Sequence, residues 1–344
     1  MAFTATGGTV VWNGLYTAGE RPGPFRVIAA AAGHADTAVL YLHAPAEAAA
    51  TAPPSSGIPF GPYGAWSGTR LKPNTDVFTA AMGSFTPSEI VAALGIAHER
   101  RKQLVVSFTG GAHQRYLTDG VFDMSKWRAR LDAYNTGSIR AAVAEAVANG
   151  TLIGNSVMDE PHVKGLGDGN TWGPAGTMTK ARVDTLCGYV KAIFPTLPVG
   201  VVHPHNAFEP SRSYRVCEFL VDQYSQRQGD VTQFRDAGLA LARRDGMALI
   251  FSLNILNGGV QAPRSGGWEC PAGTSGGRGT SRPNCRMTPE QIRDWGTLLG
   301  TAGCAMLLWR YDDSFMADPA NEQAFRDVAG RLATLPHRSC GRPS

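Results

Sequence analysis

The chain has 344 residues, 43% of them hydrophobic and 17% charged, with a formal net charge of +4 at pH 7. That composition suits one large barrel or two average domains around a sizeable core, and a small, unclustered positive charge leaves no nucleic-acid footprint. No apolar stretch approaches the roughly 18 residues of a membrane helix, and residues 1–6 lack the charged and apolar regions of a signal peptide.

Residues 1–45 carry two apolar runs, 9–12 and 37–43, and the Ala/Pro/Ser stretch 44–57 reads as a linker or surface strap. From residue 58 onward, strand-like and helix-like segments alternate. Strands are expected at 60–66, 77–85, 103–109, 151–158, 198–203, 218–224, 247–254 and 304–311. Helical patterns fall at 87–101, 138–148, 179–194, 231–244, 289–299 and 321–335. Pro87 and Pro289 each follow a threonine and precede an acid, which marks a helix start. Strands alternating with helices imply a parallel sheet covered by helices. Eight of them fit a (β/α)8 TIM barrel, and no GxGxxG turn follows the first strand. The expected organisation is an N-terminal extension and linker over 1–57 and a catalytic barrel over 58–344.

Residues 151–162 are the most informative stretch. A short apolar strand, bounded by Asn149-Gly150 and Pro161, ends in Asp159 and Glu160. α/β barrels keep their active sites at that edge. Two adjacent carboxylates are costly to bury unless they are used or paired.

The other strand ends offer polar and aromatic groups as well. In chain order these are Tyr63 and Trp66, then His113, then His162 beside the acidic pair, then His203 and His205. Asp222 and Tyr224 share a face of the sixth strand, Ser252 and Asn254 end the seventh, and Trp309, Arg310, Tyr311 and Asp312 end the eighth. Such a set suits glycosidic bond cleavage, in which one carboxylic acid protonates the leaving oxygen and a second carboxylate or a substrate group assists. Glu160 is the expected acid, its pKa raised by the neighbouring charge of Asp159. The expected partner is Asp222, then Asp312, then Glu269. Trp66, Trp309 and Tyr311 would stack on sugar faces. Tyr63, His113, His162, His203, His205, Tyr224, Asn254 and Arg310 complete the substrate-binding set, with Arg310 holding Asp312 or clamping an acidic sugar.

Asp159-Glu160-Pro161 resembles the Asn-Glu-Pro motif of the large retaining clan of barrel glycoside hydrolases. The resemblance implies that Glu160 is the acid/base and Trp309 a subsite wall. The clan's Asn is Asp159 here, and its seventh-strand Glu nucleophile has no counterpart in Phe251-Ser252-Leu253-Asn254-Ile255-Leu256. Two other readings use the same residues. A metal-dependent hydrolase or isomerase would gather His113, Glu160, His162, His203, His205 and Asp222 around a divalent cation. A carbohydrate-binding pseudoenzyme would keep the aromatic cleft without the nucleophile.

Six cysteines without a CxxC pair point to disulfides in an oxidising compartment, hence a secreted or periplasmic monomer acting on a polysaccharide or oligosaccharide, with no cofactor and no nucleic-acid or membrane partner. Cys270 and Cys285 flank a segment without periodicity, and a bridge there would contribute roughly 3 kcal/mol. The long stretch 258–287 after the seventh strand is expected to wall the cleft. Residues 165–176, with Trp172, are expected to form another wall.

Overall fold

The computed structural model of the protein describes residues 2–11, 14–17, 23–42, 57–110, 113–162, 172–174, 176–260 and 285–342. The chain divides into two compact units, Met1–Ala52 and Pro53–Ser344. The first is a three-stranded antiparallel sheet in which Gly23–Ala31 pairs with both Ala2–Ala5 and His34–Leu42. Its hairpin turns on Ala32 and Gly33, with φ of 49° and 80°. That double left-handed turn matches the twist of the flanking strands.

The second unit is built on eight parallel strands: β1 (Phe60–Pro62), β2 (Ala80–Gly83), β3 (Gln103–Val106), β4 (Leu152–Asp159), β5 (Val199–Val202), β6 (Phe219–Tyr224), β7 (Ala248–Asn254) and β8 (Ala305–Trp309). Each pairs with the next in the chain from β2 to β8, and β8 pairs back with β1. A parallel bridge between Tyr63 and Met82 joins β1 to β2. The circle is closed, and the unit is a (β/α)8 barrel.

Alternation along each strand divides the barrel's side chains into two sets. Met82, Val105, Ile153, Val202, Phe219, Val221, Ala248, Ile250, Ala305 and Leu307 fill the interior. Leu104, Val106, Val157, Val201, Leu220, Leu249, Phe251, Leu253, Met306 and Leu308 face the helices. Each buried Val, Leu, Ile, Phe or Met among them contributes roughly 1.5–3 kcal/mol. The Phe219 ring lies across the interior, and a Cβ on Gly154 would come within 2.6 Å of it. Glycine is required there by close approach.

The covering helices are α1 (Ile90–Glu99), α2 (Met124–Asp132), α3 (Gly137–Ala148), α4 (Lys180–Ile193), α5 (Val231–Asp245), α6 (Pro289–Gly300), α7 (Asp313–Met316) and α8 (Pro319–Ala333). Pro289 opens α6 as expected, behind a Thr288–Gln291 capping box. Pro87 does not open a helix. It lies in a turn in which Thr86 donates to Glu89, and α1 begins at Ile90. Helix α2 escapes the periodicity because only Trp127 and Leu131 are buried on it. Its start is visible in Asp123, whose carboxylate accepts from Ser125 and Lys126. Between β1 and β2 a hairpin, Trp66–Ser67 with Arg70–Leu71, stands in place of a helix.

Cys187 in α4 is bridged to Cys217, ahead of β6, and Cys304, ahead of β8, is bridged to Cys340. Cys285 is also disulfide-bonded, and its expected partner Cys270 lies outside the described residues, as does Glu269. The C-terminal tail is held by Arg338, which donates to the carbonyls of Thr301 and Gly303, and by Arg342, which donates to those of Asp245 and Cys217. These carbonyls lie at the strand N-terminal ends, so the tail closes the face opposite the acidic pair. The Cys187–Cys217 bridge spans 30 residues, for which the chain-entropy model gives about 3–4 kcal/mol. A Cys187→Ala/Cys217→Ala protein is expected to lose that much in urea denaturation. A loss below about 1 kcal/mol would show that the loop is held by its hydrogen bonds instead.

Candidate active site

Strand β4 departs from regular register before Asp159, which is aligned with Val202. Val202 belongs to the barrel interior, so Asp159 takes an inward position at the top of the strand. Glu160 follows in a left-handed turn, φ 45°, with its N–H donating to the Val202 carbonyl at 2.8 Å. Both acids are half-buried. The same inward position is held by Tyr63 after β1, by Ser107 two residues beyond Val105, and by Ser252 two beyond Ile250. Gln223, two beyond Val221, and Trp309, two beyond Leu307, share it.

The Tyr63 hydroxyl is buried within reach of Asp159, Ser252 and Glu160. Burial raises its pKa far above the phenol range, and Asp159 and then Glu160 push it in the same direction. It is therefore a neutral donor beside two carboxyl groups. The Ser252 hydroxyl lies close enough to oppose that shift, yet neither oxygen completes a hydrogen bond of good geometry. Two buried hydroxyls left this way cost roughly 1–3 kcal/mol each unless water or a ligand meets them.

Several expected site residues lie elsewhere. Asp222 and Tyr224 do share a face, and it is the outer one. Asp222 is fully buried against α5, where a Cβ on Gly238 would come within 2.6 Å of its Oδ2. Its carboxylate accepts from the His205 backbone N–H at 2.9 Å and pairs with His205 Nδ1 at 2.8 Å. The Tyr224 hydroxyl donates to the Gly229 carbonyl, and its ring packs against Phe234 and Trp295. His203 is fully buried on the same outer side, its Nε2 at 2.9 Å from the Tyr214 hydroxyl. Asp312 caps α7, accepting from Phe315 N–H and the Ser314 hydroxyl, and these bonds, the Ser314 one foremost, hold its pKa below the usual range. Arg310 lies over the Trp309 ring at 5.5 Å rather than against Asp312. Tyr311 is buried with its hydroxyl on the Pro73 carbonyl and Asp313, and Trp66 is buried edge-on to Phe85. Asn254 is inward, but its Oδ1 is spent on the Asn257 N–H of the following turn.

His113 stays near the pair, buried 4.2 Å from the Trp172 ring and with Nε2 3.4 Å from the Asp159 carbonyl. The Trp172 indole N–H donates to that same carbonyl at 2.7 Å. His162 faces a pocket between the loops after β4 and β5. The six residues of the metal reading are thus dispersed. Among the described residues no group of three His, Cys, Asp or Glu side chains could hold a metal ion. The residues that sequence reasoning passed over are Gln223 and Ser107, and parity with the apolar residues two positions earlier is the signal that finds them.

Burial drives the His203 pKa down to about 3; the hydrogen bond to the Pro204 carbonyl opposes this, and the nearby His162, Lys180 and His205 lower it further, while Nε2 faces the neutral Tyr214 hydroxyl. An unfolded histidine titrates near 6.5. Stability present above that pH is therefore lost as pH falls toward the folded value. A His203→Phe protein is expected to show a shallower fall in urea midpoint between pH 6.5 and 4, and an unchanged slope would refute a neutral buried His203.

No family model matches the sequence, and no curated protein matches it. Among solved structures the chain is similar to a chitinase from Rhizomucor miehei, at 12% identity over 78% of this chain and 99% of that one, TM-score 0.47. It is similar to GH5_18 from Streptomyces cattleya in complex with GlcNAc, at 12% identity over 82% of each chain, TM-score 0.49. It is also similar to native xylanase10C from Cellvibrio japonicus, at 12% identity over 93% of this chain and 80% of that one, TM-score 0.48. These are likenesses of backbone course, and the barrel assignment rests on the strand register above.

Proposed function

We propose that the protein hydrolyses O-glycosidic bonds in a polysaccharide or oligosaccharide, with Glu160 as the general acid. The observation that carries this reading is the half-buried Asp159–Glu160 pair at the mouth of a closed barrel, beside the neutral Tyr63 hydroxyl. Glu160 gives its proton to the leaving oxygen as the C–O bond breaks, and water supplies the new hydroxyl and returns the proton. Asp159, on the inward side, stabilises the positive charge that develops on the sugar ring. Asp222 and Asp312 have no part, because their oxygens are engaged in a buried pair and a helix cap. Trp309, half-buried at the end of β8, offers its ring to a sugar face. The disulfides suit a secreted or periplasmic protein. Among the described residues no helix is long and apolar enough to cross a membrane.

The end of β7 presents Ser252 and Asn254 inward, without a carboxylate, which favours a carbohydrate-binding protein as the second reading. Reducing-end release from a polysaccharide panel separates the two, comparing wild type with Glu160→Gln, each with and without chelator. Cleavage abolished by Glu160→Gln and indifferent to chelator supports the glycosidase. Binding by both proteins without turnover supports the second reading. Chelator-sensitive cleavage restored by a divalent ion overturns both.

A further inference from the structure

The pocket between the loops after β4 and β5 has a volume of about 250 Å³ and begins at Pro161 and His162, the two residues after Glu160. Its apolar walls are Trp172, Met178 and Phe208, all buried. Trp172 is fixed by its bond to the Asp159 carbonyl and by ring contacts with His113, Tyr116 and Phe122. That wall is already in place before any ligand arrives. The titratable groups among the described lining residues are His162 and Glu209, with Thr177 and Thr179 beside them. His162 Nδ1 is buried with no hydrogen-bond partner among the described residues. Burial takes the ring's pKa down to about 4, so it is a neutral imidazole at ordinary pH. Glu209 stands in a left-handed conformation, φ 39°, with Oε2 accepting from the Lys180 N–H at 2.6 Å and Oε1 3.4 Å from Arg212.

A rigid aromatic wall, a neutral imidazole and a carboxylate, with no cation among the described lining residues, match a neutral polyhydroxylated ring. Its apolar face lies on indole and phenyl, and its hydroxyls donate to carboxylate and imidazole. An anionic sugar would meet Glu209 as a like charge, and the nearby Arg212 is already paired with that carboxylate. The volume falls below the roughly 300–1,000 Å³ of pockets for drug-sized ligands, which suits one sugar unit rather than a chain.

We propose that this pocket is a subsite for one neutral sugar unit on the leaving-group side of the scissile bond, read by His162 and Glu209. The side rests on the glycosidase reading, since a general acid sits against the unit whose oxygen it protonates. The neutral-sugar specificity rests on the pocket itself.

The test measures binding by saturation-transfer NMR and calorimetry in the Glu160→Gln background, where turnover does not interfere. Glucose, mannose, xylose and N-acetylglucosamine are the neutral probes, and glucuronate the anionic one. At least one neutral sugar is expected to bind ten times more tightly than glucuronate. His162→Phe, which keeps an aromatic and removes the nitrogens, is expected to weaken it at least tenfold. Ala207→Trp, which fills the pocket from its exposed rim without touching the core, should do the same. On a glycan cleaved by the wild type, Ala207→Trp in the otherwise unaltered protein is expected to lower kcat/KM at least tenfold. Neutral-sugar binding untouched by both substitutions, or glucuronate bound as well as any neutral probe, overturns the pocket. Turnover indifferent to Glu160→Gln overturns the glycosidase reading and with it the side, while the binding arm still decides whether a sugar site is there.

Discussion

Glu160→Gln lowers kcat on a glycan by a factor of roughly 10²–10⁴, the range supplied by a positioned proton donor. Glutamine keeps the shape and the half-buried position of the side chain but has no acidic proton to give. It also keeps the left-handed turn at φ 45° that ends β4, so the backbone that places Asp159 is undisturbed. The expected signature is a dependence on leaving group. An aryl glycoside that releases nitrophenolate needs little protonation, and its hydrolysis falls much less than that of the glycan. Steady-state kinetics on both substrates reads this directly. Equal losses on the two would assign Glu160 to holding the fold or the substrate, and the acid would have to be sought elsewhere.

Asp222→Ala lowers stability by about 2–5 kcal/mol and leaves turnover per folded molecule unchanged. Two His205 donors, the backbone N–H and Nδ1, end on this carboxylate. Stranding a buried donor costs roughly 1–3 kcal/mol. Burial raises the Asp222 pKa above the usual carboxylate range, only partly offset by His205. A raised folded pKa means that this group's contribution is fully present below the unfolded value, near 3.9, and is lost as pH rises through the folded value. Asp222→Asn removes that loss, so its urea midpoint declines less than that of the wild type from about pH 4 upward. Gly238→Ala, whose Cβ would press on Oδ2 at 2.6 Å, costs about 1–3 kcal/mol by overpacking. Folding measured by urea denaturation and activity measured on the same samples check both halves. Turnover lost while stability is retained would return Asp222 to the site.

Phe251 and Asp222 show how far chain-local information reaches. The runs around them are strands because apolar residues continue for several positions between helix caps and turns, and that pattern is local. The same holds for Thr288-Pro289 as a helix start, and for a strand ending in Asp159-Glu160-Pro161. Eight strands alternating with helices have one economical arrangement, so the barrel was readable. Helix α2 was not, because a charged segment with two buried residues has almost no periodic signal.

Which face of a strand looks inward is a property of the closed sheet. The sequence by itself determined the strands, the order of the barrel, the acidic pair at the end of β4 and the pairing of Asp222 with Tyr224 on one face. Only the tertiary structure decided that this face packs on α5 while Gln223 points to the mouth, and that Asp312 caps a helix. It also decided that His203 and His205 are interior hydrogen-bonding groups. The reason is physical: alternation gives each strand two equivalent faces, and they become distinct only when eight strands close and one side is left to meet the helices.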